Sequence, residues 1–306
     1  NFYMPIFEEA LDAYGLPLEL KYLPIIESAL NPSAISRAGA SGLWQFMIGT
    51  GKIYGLESNS LVDERRDPIK ATWAAARYLK EMYTIYGDWN LVIAAYNCGP
   101  GTINKAIRRA GGETDYWKIY NFLPKETKGY VPAFIAANYV MTYYCDHNIC
   151  PMETNIPTST DTVQVNKNLH FDQISEICNV PLDEIKSLNP QYKKQIIPGE
   201  SKPYTLRLPI NAISTFIDKQ DTIYAHRADE LFRNRKTVAV NEPTPTTRKQ
   251  TTAVIGKGKL TYYSIKNGDT LSSIAEKLNV RVKDIQRWNG MSNTKISAGK
   301  RLKIYK

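Results

Sequence analysis

The stretch from Pro24 to Thr50 reads PIIESALNPSAISRAGASGLWQFMIGT, and the rest of the chain is read outward from it. A single carboxylate, Glu27, stands in an apolar run between Ile25-Ile26 and Ala29-Leu30. Apolar neighbours disfavour the charged form of a carboxyl and raise its pKa. A carboxyl that keeps its proton near neutral pH is what a general acid needs. Asn31-Pro32 ends the helix that carries it, which predicts Glu27 in a last turn at the rim of a cleft. Residues 36–42 (SRAGASG) follow as a small-residue loop. In Gly42-Leu43-Trp44-Gln45 the glycine permits close backbone approach, while Trp44 and Gln45 offer a platform of the kind that binds a sugar.

Around this stretch residues 1–150 read as all helical. Phe7, Leu11, Leu18, Tyr22, Leu23 and Ile26 recur at roughly helical spacing, which predicts one helix kinked at Pro24. Asp67-Pro68 supplies an N-cap and a first helical residue. The helix it opens is expected to bury Ile69, Trp73, Ala76, Leu79, Met82 and Tyr83, and to end at Gly87. Asp88 caps a short apolar helix that runs into Ala94-Ala-Tyr-Asn-Cys-Gly-Pro-Gly101, a sharp turn that holds Tyr96 and Asn97 at a surface. A helix from Thr102 to Ala110 and a last one from about Lys125 to Tyr144 complete the set. No alternating strand pattern appears before residue 150, so a compact helical domain is expected over 1–150.

Beyond a linker-like stretch at 151–160 the pattern changes to short units. Leu260 to Ile265 alternates like a strand, Lys266 to Thr270 makes a turn, and Leu271, Ile274, Ala275 and Leu278 mark a short helix capped by Thr270. A second helix, Val280 to Trp288, and a closing strand, Arg301 to Tyr305, make a βααβ unit over 259–306. A weaker copy lies at 161–210, because Val180-Pro-Leu-Asp-Glu-Ile-Lys-Ser-Leu-Asn189 parallels Val280-Arg-Val-Lys-Asp-Ile-Gln-Arg-Trp-Asn289. Residues 211–258 are expected to connect the copies, with a helix around Arg227 to Phe232 and a flexible linker over 237–258. The fold class expected is mainly α, with two small βααβ modules behind a helical domain.

Composition narrows the function. An apolar share of 43% in 306 residues excludes a wholly disordered chain. The net charge of +9 is uneven: residues 233–306 hold 17 Lys or Arg against 4 Asp or Glu, so the rest is slightly acidic. No run of about 18 apolar residues is present to span a membrane. No signal pattern opens the chain, so any lipid anchor would have to lie upstream of Asn1. Cys145 and Cys150 are close enough in sequence to pair in an oxidising compartment, or to stay free. Two cysteines with His147 do not fill a tetrahedral site, so neither metal nor other cofactor is expected. Basic residues without a nucleic-acid-binding motif give no reason to expect a nucleic-acid partner.

Glu27-Ser28, Ser36-x5-Gly42-Leu-Trp-Gln-Phe-Met47, Ala95-Tyr-Asn97-x-Gly99-x-Gly101 and Glu126-Thr-Lys-x-x-Tyr130-Val-Pro together resemble the lysozyme-like SLT domain of lytic murein transglycosylases. Leu16 to Pro32 and Arg65-Arg-Asp-Pro68 look most like the membrane-bound D type. Residues 260–305, with Tyr263-x-Ile265-x-x-Gly268-Asp-Thr-Leu271-x-x-Ile274-Ala275, resemble a LysM module.

The resemblance implies cleavage of the MurNAc–GlcNAc β-1,4 bond of peptidoglycan with formation of a 1,6-anhydro product. Glu27 matches the single catalytic acid. By the same resemblance Ser36, Gly42, Leu43, Trp44, Gln45 and Met47 bind substrate, with Tyr96, Asn97 and Tyr130 orienting Glu27 and the sugar. Trp44 stands where many relatives have Met. Gly268, Asp269, Thr270, Leu271 and Asn289 would bind glycan, whereas the first copy has Asn168-Leu-His-Phe171 in place of Gly268-Asp-Thr-Leu271 and is expected to act as a spacer or packing unit. Peptidoglycan strands are the expected partner, and a monomer in the periplasmic cell envelope, with outer-membrane anchoring open, is the expected setting. The next acids after Glu27 in the chain, Glu57, Asp63, Glu64 and Asp67, read as caps and ion pairs. A hydrolytic muramidase and a non-catalytic wall-binding protein are the alternatives.

Overall fold

The computed structural model describes residues 2–150, 156–157, 159–232, 260–266, 268–291, 296–297 and 299–305. The chain divides into two compact units, Asn1–Asn241 and Glu242–Lys306. The predicted linker at 237–258 and residues 151–155 lie outside the described residues.

The first unit begins with eight helices: α1 (Met4–Ala13), α2 (Leu23–Ser28), α3 (Ile48–Ile53), α4 (Pro68–Tyr86), α5 (Trp89–Cys98), α6 (Pro100–Arg109), α7 (Tyr116–Ile119) and α8 (Lys125–Thr142). The single kinked helix expected before Glu27 is instead three pieces. α1 stops at Tyr14-Gly15, a 3-10 turn covers Leu18–Tyr22, and Pro24 starts α2 rather than bending it. Proline is at home there because the first helical N–H has no partner to lose. Asp67 and Asp88 cap α4 and α5 as expected, their carboxylates accepting from Ile69, Lys70 and Leu91 N–H groups. On α4 the buried face is built from smaller side chains than expected. Ala76, Leu79 and Met82 are buried as expected, joined by Pro68, Ala71, Thr72, Ala74 and Ala75, while Ile69 and Tyr83 are half-buried and Trp73 is 36% exposed. The core joins Phe7, Leu11, Leu23, Trp44, Leu79, Leu91, Ile103 and Val131. Cys145 and Cys150 follow α8 as exposed free thiols.

The weaker copy belongs to the same unit. β1 (Thr160–Val165) pairs antiparallel with β4 (Tyr204–Pro209), from Thr160↔Pro209 to Val165↔Tyr204. β2 (Asn168–His170) pairs with β3 (Ile196–Pro198), and α9 (Phe171–Cys178) and α10 (Leu182–Leu188) lie between them in sequence. Three more helices, α11 (Ile210–Asp218), α12 (Gln220–Ala225) and α13 (Ala228–Leu231), fill much of the segment read as connecting. Ala212, Phe216 and Ile223 from them enter the core with Val165, Phe171, Ile174, Ile185 and Leu206.

That core also takes in Leu61 and Val62 from the helical body. Val62 bridges to Tyr192, the Asp63 N–H donates to the Gln191 carbonyl, and the Lys193 N–H donates to that of Leu61. Burying two aliphatic side chains stabilises by roughly 1.5–3 kcal/mol each, which makes this a fixed junction rather than a surface touch.

The second unit is β5 (Leu260–Ser264), α14 (Leu271–Leu278), α15 (Val282–Trp288) and β6 (Arg301–Tyr305), with β5 and β6 antiparallel over Ile265, Leu271, Ile274, Ile285 and Leu302. Both copies share one internal clamp. Asn189 donates to the Ile185 and Arg207 carbonyls and accepts from the Arg207 N–H, at 2.7–2.9 Å. Asn289 does the same with Ile285 and Lys303. Its amide is therefore spent on tying the second helix to the closing strand, and its expected place among glycan-binding groups is corrected to a structural one.

Asn189 is almost fully buried. Asn189→Ala strands the Arg207 backbone groups and is expected to destabilise the first unit by about 2 kcal/mol in urea unfolding.

Candidate active site

Glu27 occupies the last turn of α2, and Ala29 and Leu30 after it both adopt left-handed backbone, φ 50° and 59°. Side chains resist that region, so the chain holds roughly 1–2 kcal/mol of strain per residue there. The strain turns the backbone sharply away and leaves the carboxyl against α8 and α5. Tyr130, from the second turn of α8, donates its hydroxyl to Glu27 Oε1. Tyr96 of α5 donates to the Trp44 carbonyl at 2.7 Å, and its own titration is pushed far up by burial and by the Glu27 charge. Ser28 Oγ bonds the Pro24 and Leu43 carbonyls at 3.0 and 2.9 Å, pinning the α2 turn to the following loop.

Burial pushes the Glu27 carboxyl up to about 7. The Tyr130 hydrogen bond works against that rise, and the charge of Glu126 adds to it. Glu126 lies in the first turn of α8 and is exposed. It is the neighbouring carboxylate that chain order hides, 99 residues from Glu27; the acids that follow Glu27 in the chain up to Asp67 are engaged elsewhere. Asp63 forks onto Arg65, Glu64 onto Lys70, Glu57 onto Lys202, and Asp67 caps α4.

Beside Tyr96 a cleft of about 290 Å³ is lined by Gln45, Phe46, Met47, Tyr78, Asn97 and Gly99, among others. Gly99, at φ 81°, makes the break between α5 and α6 that presents Asn97. Asn97 Oδ1 accepts from Thr127 Oγ1 at 2.9 Å, joining α5 to α8 one turn from Tyr130. Met47 is 40% exposed at the cleft. Gln45 sits at φ 47°, its amide donating to the Gly42 carbonyl at 2.8 Å, so it shapes the loop as well as lining the cleft. Ser36 Oγ accepts from the Ala40 N–H at 3.0 Å within the same loop.

A transglycosylase SLT domain description matches residues 4–119, an MltD lytic transglycosylase LysM-like domain matches 159–225, and a LysM domain matches 263–304. The chain thus carries an SLT domain over residues 4–119 with LysM-type domains behind it, and it spans about three fifths of the length of the curated relative it matches over most of its own. It is 32% identical over 296 residues to the membrane-bound lytic murein transglycosylase D of Escherichia coli, covering 95% of this chain and 60% of that protein. It is also 32% identical over 124 residues to the soluble lytic murein transglycosylase of the same bacterium, 39% of this chain and 19% of that one. The crystal structure of the 70 kDa soluble lytic transglycosylase from Escherichia coli aligns with 46% of this chain and 24% of its own, at a TM-score of 0.40 and 28% identity. Among the described residues no helix is long and apolar enough to cross a membrane.

Within the SLT domain Trp44 departs from its expected role. Its indole is fully enclosed, edge-on to Phe7, and donates from Nε1 to Thr72 Oγ1 at 2.9 Å. It cannot stack on a sugar, and only its carbonyl serves the site, as the acceptor for Tyr96. Leu43 is likewise wholly buried and contributes a carbonyl. Gly42 is required by space: a Cβ there would lie 1.8 Å from the Arg65 carbonyl oxygen. Arg65 in turn donates to the Gly39 and Phe46 carbonyls at 2.9 Å and to Asp63 through two bonds of 2.8 Å. Sequence reasoning gave no role to Arg65; its contacts lie 19 and 26 residues away, beyond any local pattern.

In the C-terminal LysM module, Gly268 has φ 91°, and Asp269 accepts from Tyr263 and from the Lys266 N–H. Thr270 caps α14 and Leu271 is buried, so the turn presents backbone and Gly268 rather than a cluster of free side chains. In the first copy His170 and Gln173 make the equivalent cap, which explains how the changed residues keep the same fold.

Two outcomes follow from this geometry. Trp44→Phe is expected to cost about 1–2 kcal/mol in urea unfolding, because the buried Thr72 hydroxyl oxygen loses its indole N–H donor and the smaller ring leaves space in the core. Glu27 has a folded-state pKa raised above its unfolded value, so its contribution is fully present below pH 4.5 and lost as pH rises through about 7. Glu27→Gln should therefore melt higher than the parent at pH 8, by up to about 3 kcal/mol, and match it at pH 4.

Proposed function

We propose that this protein is a peptidoglycan lytic transglycosylase. The observation that supports it is one desolvated carboxyl, Glu27, held by Tyr130 and acting electrostatically on Tyr96, which lines the neighbouring cleft. With a pKa near the working pH, Glu27 protonates the glycosidic oxygen between MurNAc and GlcNAc, and the C1–O bond breaks toward an oxocarbenium-like state. The carboxylate so formed then takes the proton of the MurNAc 6-hydroxyl. That oxygen closes onto C1, giving a 1,6-anhydro ring and returning Glu27 to its acid form without water. Tyr130 fixes the carboxyl in place, Tyr96 and Asn97 shape the wall, and Gln45, Met47 and Ser36 bind the glycan on the loop side. The C-terminal LysM module holds the enzyme on peptidoglycan strands through Gly268, Asp269, Thr270 and Leu271, and its basic charge suits an anionic envelope. The protein acts as a monomer in the periplasmic cell envelope.

One observation favours a second reading. Glu126 is near enough for its charge to raise Glu27, and inverting hydrolysis needs a second carboxylate to activate water. The product decides between the two. Muropeptides released from purified sacculi are expected to end in 1,6-anhydroMurNAc by mass spectrometry, and Glu126→Gln is expected to retain activity within about tenfold. Reducing MurNAc ends together with an inactive Glu126→Gln would establish the hydrolase. Glu27→Gln should lose at least about a thousandfold in rate; a near wild-type variant would favour a wall-binding protein. Tyr130→Phe removes the one bond that lowers the Glu27 pKa, so the high-pH limb of its kcat/KM profile should move upward while the rate falls.

A further inference from the structure

The junction between the SLT body and the first LysM-type module forms a second hollow, whose lining shares no residue with the cleft beside Tyr96. Its lining includes Ser33, Arg66, Lys186, Tyr192, Lys193 and Gln195. Ser33 comes from the turn after Glu27, Arg66 from the loop that docks the module, and the others from the module itself. Three of these side chains are cations. Asp63, the carboxylate close to Arg66 at 4.0 Å, is already forked onto Arg65 by two 2.8 Å bonds. Lys186 has an exposed partner in Asp183, at 3.1 Å. Arg66 also donates to Ser41 Oγ at 3.2 Å. Glu64 and Asp67 act on Tyr192, Glu64 already paired with Lys70 and Asp67 capping α4. The excess positive charge therefore rests on Arg66 and Lys193, whose nearest carboxylate, Asp63, is shared with Arg65.

The protein tolerates this at a cost that can be read from the groups themselves. Burial lowers the titration of Lys193, and the charges of Arg66, Arg65 and Lys194 lower it further against the pull of Asp63. Burial and the adjacent Arg65 charge also lower that of Arg66. Like charges gathered in a half-buried hollow repel unless a counter-charge enters. Gln195, held at φ 59°, adds an amide to the same wall.

We propose that this hollow is an oxyanion site, fitted to a peptide carboxylate or a phosphate group, that spans the SLT body and the first module. If the substrate reading above holds, peptidoglycan brings such carboxylates with it on its peptide side chains. The site then reads the peptide while Glu27 acts on the glycan. It also gives the first module a task other than glycan binding, consistent with its changed turn at Asn168-Leu-His-Phe171.

The test uses the full chain and does not depend on its activity. Melting temperature is followed against sodium phosphate, an N-acetylated tripeptide acid, and the same tripeptide as its C-terminal amide, with chloride matching ionic strength. Wild type is expected to gain a saturable rise with an anion and none with the amide. Lys193→Gln with Lys186→Gln should melt no lower than wild type without anion, because repulsion is relieved. Its apparent affinity should be weaker by about tenfold or more, the loss of charge-assisted hydrogen bonds. A rise with the tripeptide acid assigns a peptide carboxylate, and a rise with phosphate alone assigns phosphate; both uphold the site. No saturable rise with either anion, or an undiminished rise in the double variant, overturns it. Transglycosylase activity measured beside these titrations keeps failure of the site separate from failure of the functional reading.

Discussion

A carboxyl keeps its proton near pH 7 only while water is held away from its charged form, and the SLT domain is arranged around that constraint. Glu27 sits in the last turn of a six-residue helix, too short to hold itself. Its walls come from far along the chain: Tyr130 from α8, Tyr96 from α5, and the Leu43-Trp44 backbone that receives Ser28 and Tyr96. The core beneath, with Trp44 and Phe7 packed edge to face, keeps those walls from moving apart. Left-handed Ala29, Leu30 and Gln45 carry the strain of bringing the loop this close.

Arg65 extends the same constraint outward. Its guanidinium binds Asp63 on one side and the Gly39 and Phe46 carbonyls on the other, with all of these groups in a nearly dry setting. Removing one partner of a buried pair of this kind typically costs 3–5 kcal/mol, far more than an exposed pair is worth. Asp63 and its neighbours Leu61 and Val62 are also where the first module docks. One loop thus faces the groove loop on one side and the module core on the other. The module is part of the helical domain's frame, whereas the C-terminal module folds as a separate unit on its own core.

Local signals made much of this legible before the structure. Asp67-Pro68 and Asp88 fixed two helix starts because caps act within three residues, and the repeated V-x-[LV]-x-[DE]-I-x-x-[LW]-N pattern exposed the two modules because each copy conserves its own core and clamp. The Glu27 environment was legible because its apolar neighbours are adjacent in sequence. What was missed depends on distance along the chain. Trp44 looks like a platform until Phe7 and Thr72 close over it, and nothing local reports either. Asn289 looks like a ligand group until Lys303 is found against it. Pro24 was taken as a kink because proline inside an apolar period has two meanings, and only the turn at Gly15 separates them. Glu126 was quoted in a motif, yet its nearness to Glu27 appears only once α8 is laid beside α2.

The central claim is that burial, outweighing the Tyr130 bond, holds Glu27 protonated near neutral pH, and a titration of that one carboxyl tests it most directly. With carbon-13-labelled glutamate and Glu27→Gln to identify the resonance, NMR titration of the full chain should place the Glu27 midpoint near pH 7. A midpoint near the ordinary glutamate value of about 4.3 would mean that the carboxyl is charged and solvated in the resting protein, and the account of Glu27 as its general acid would fail.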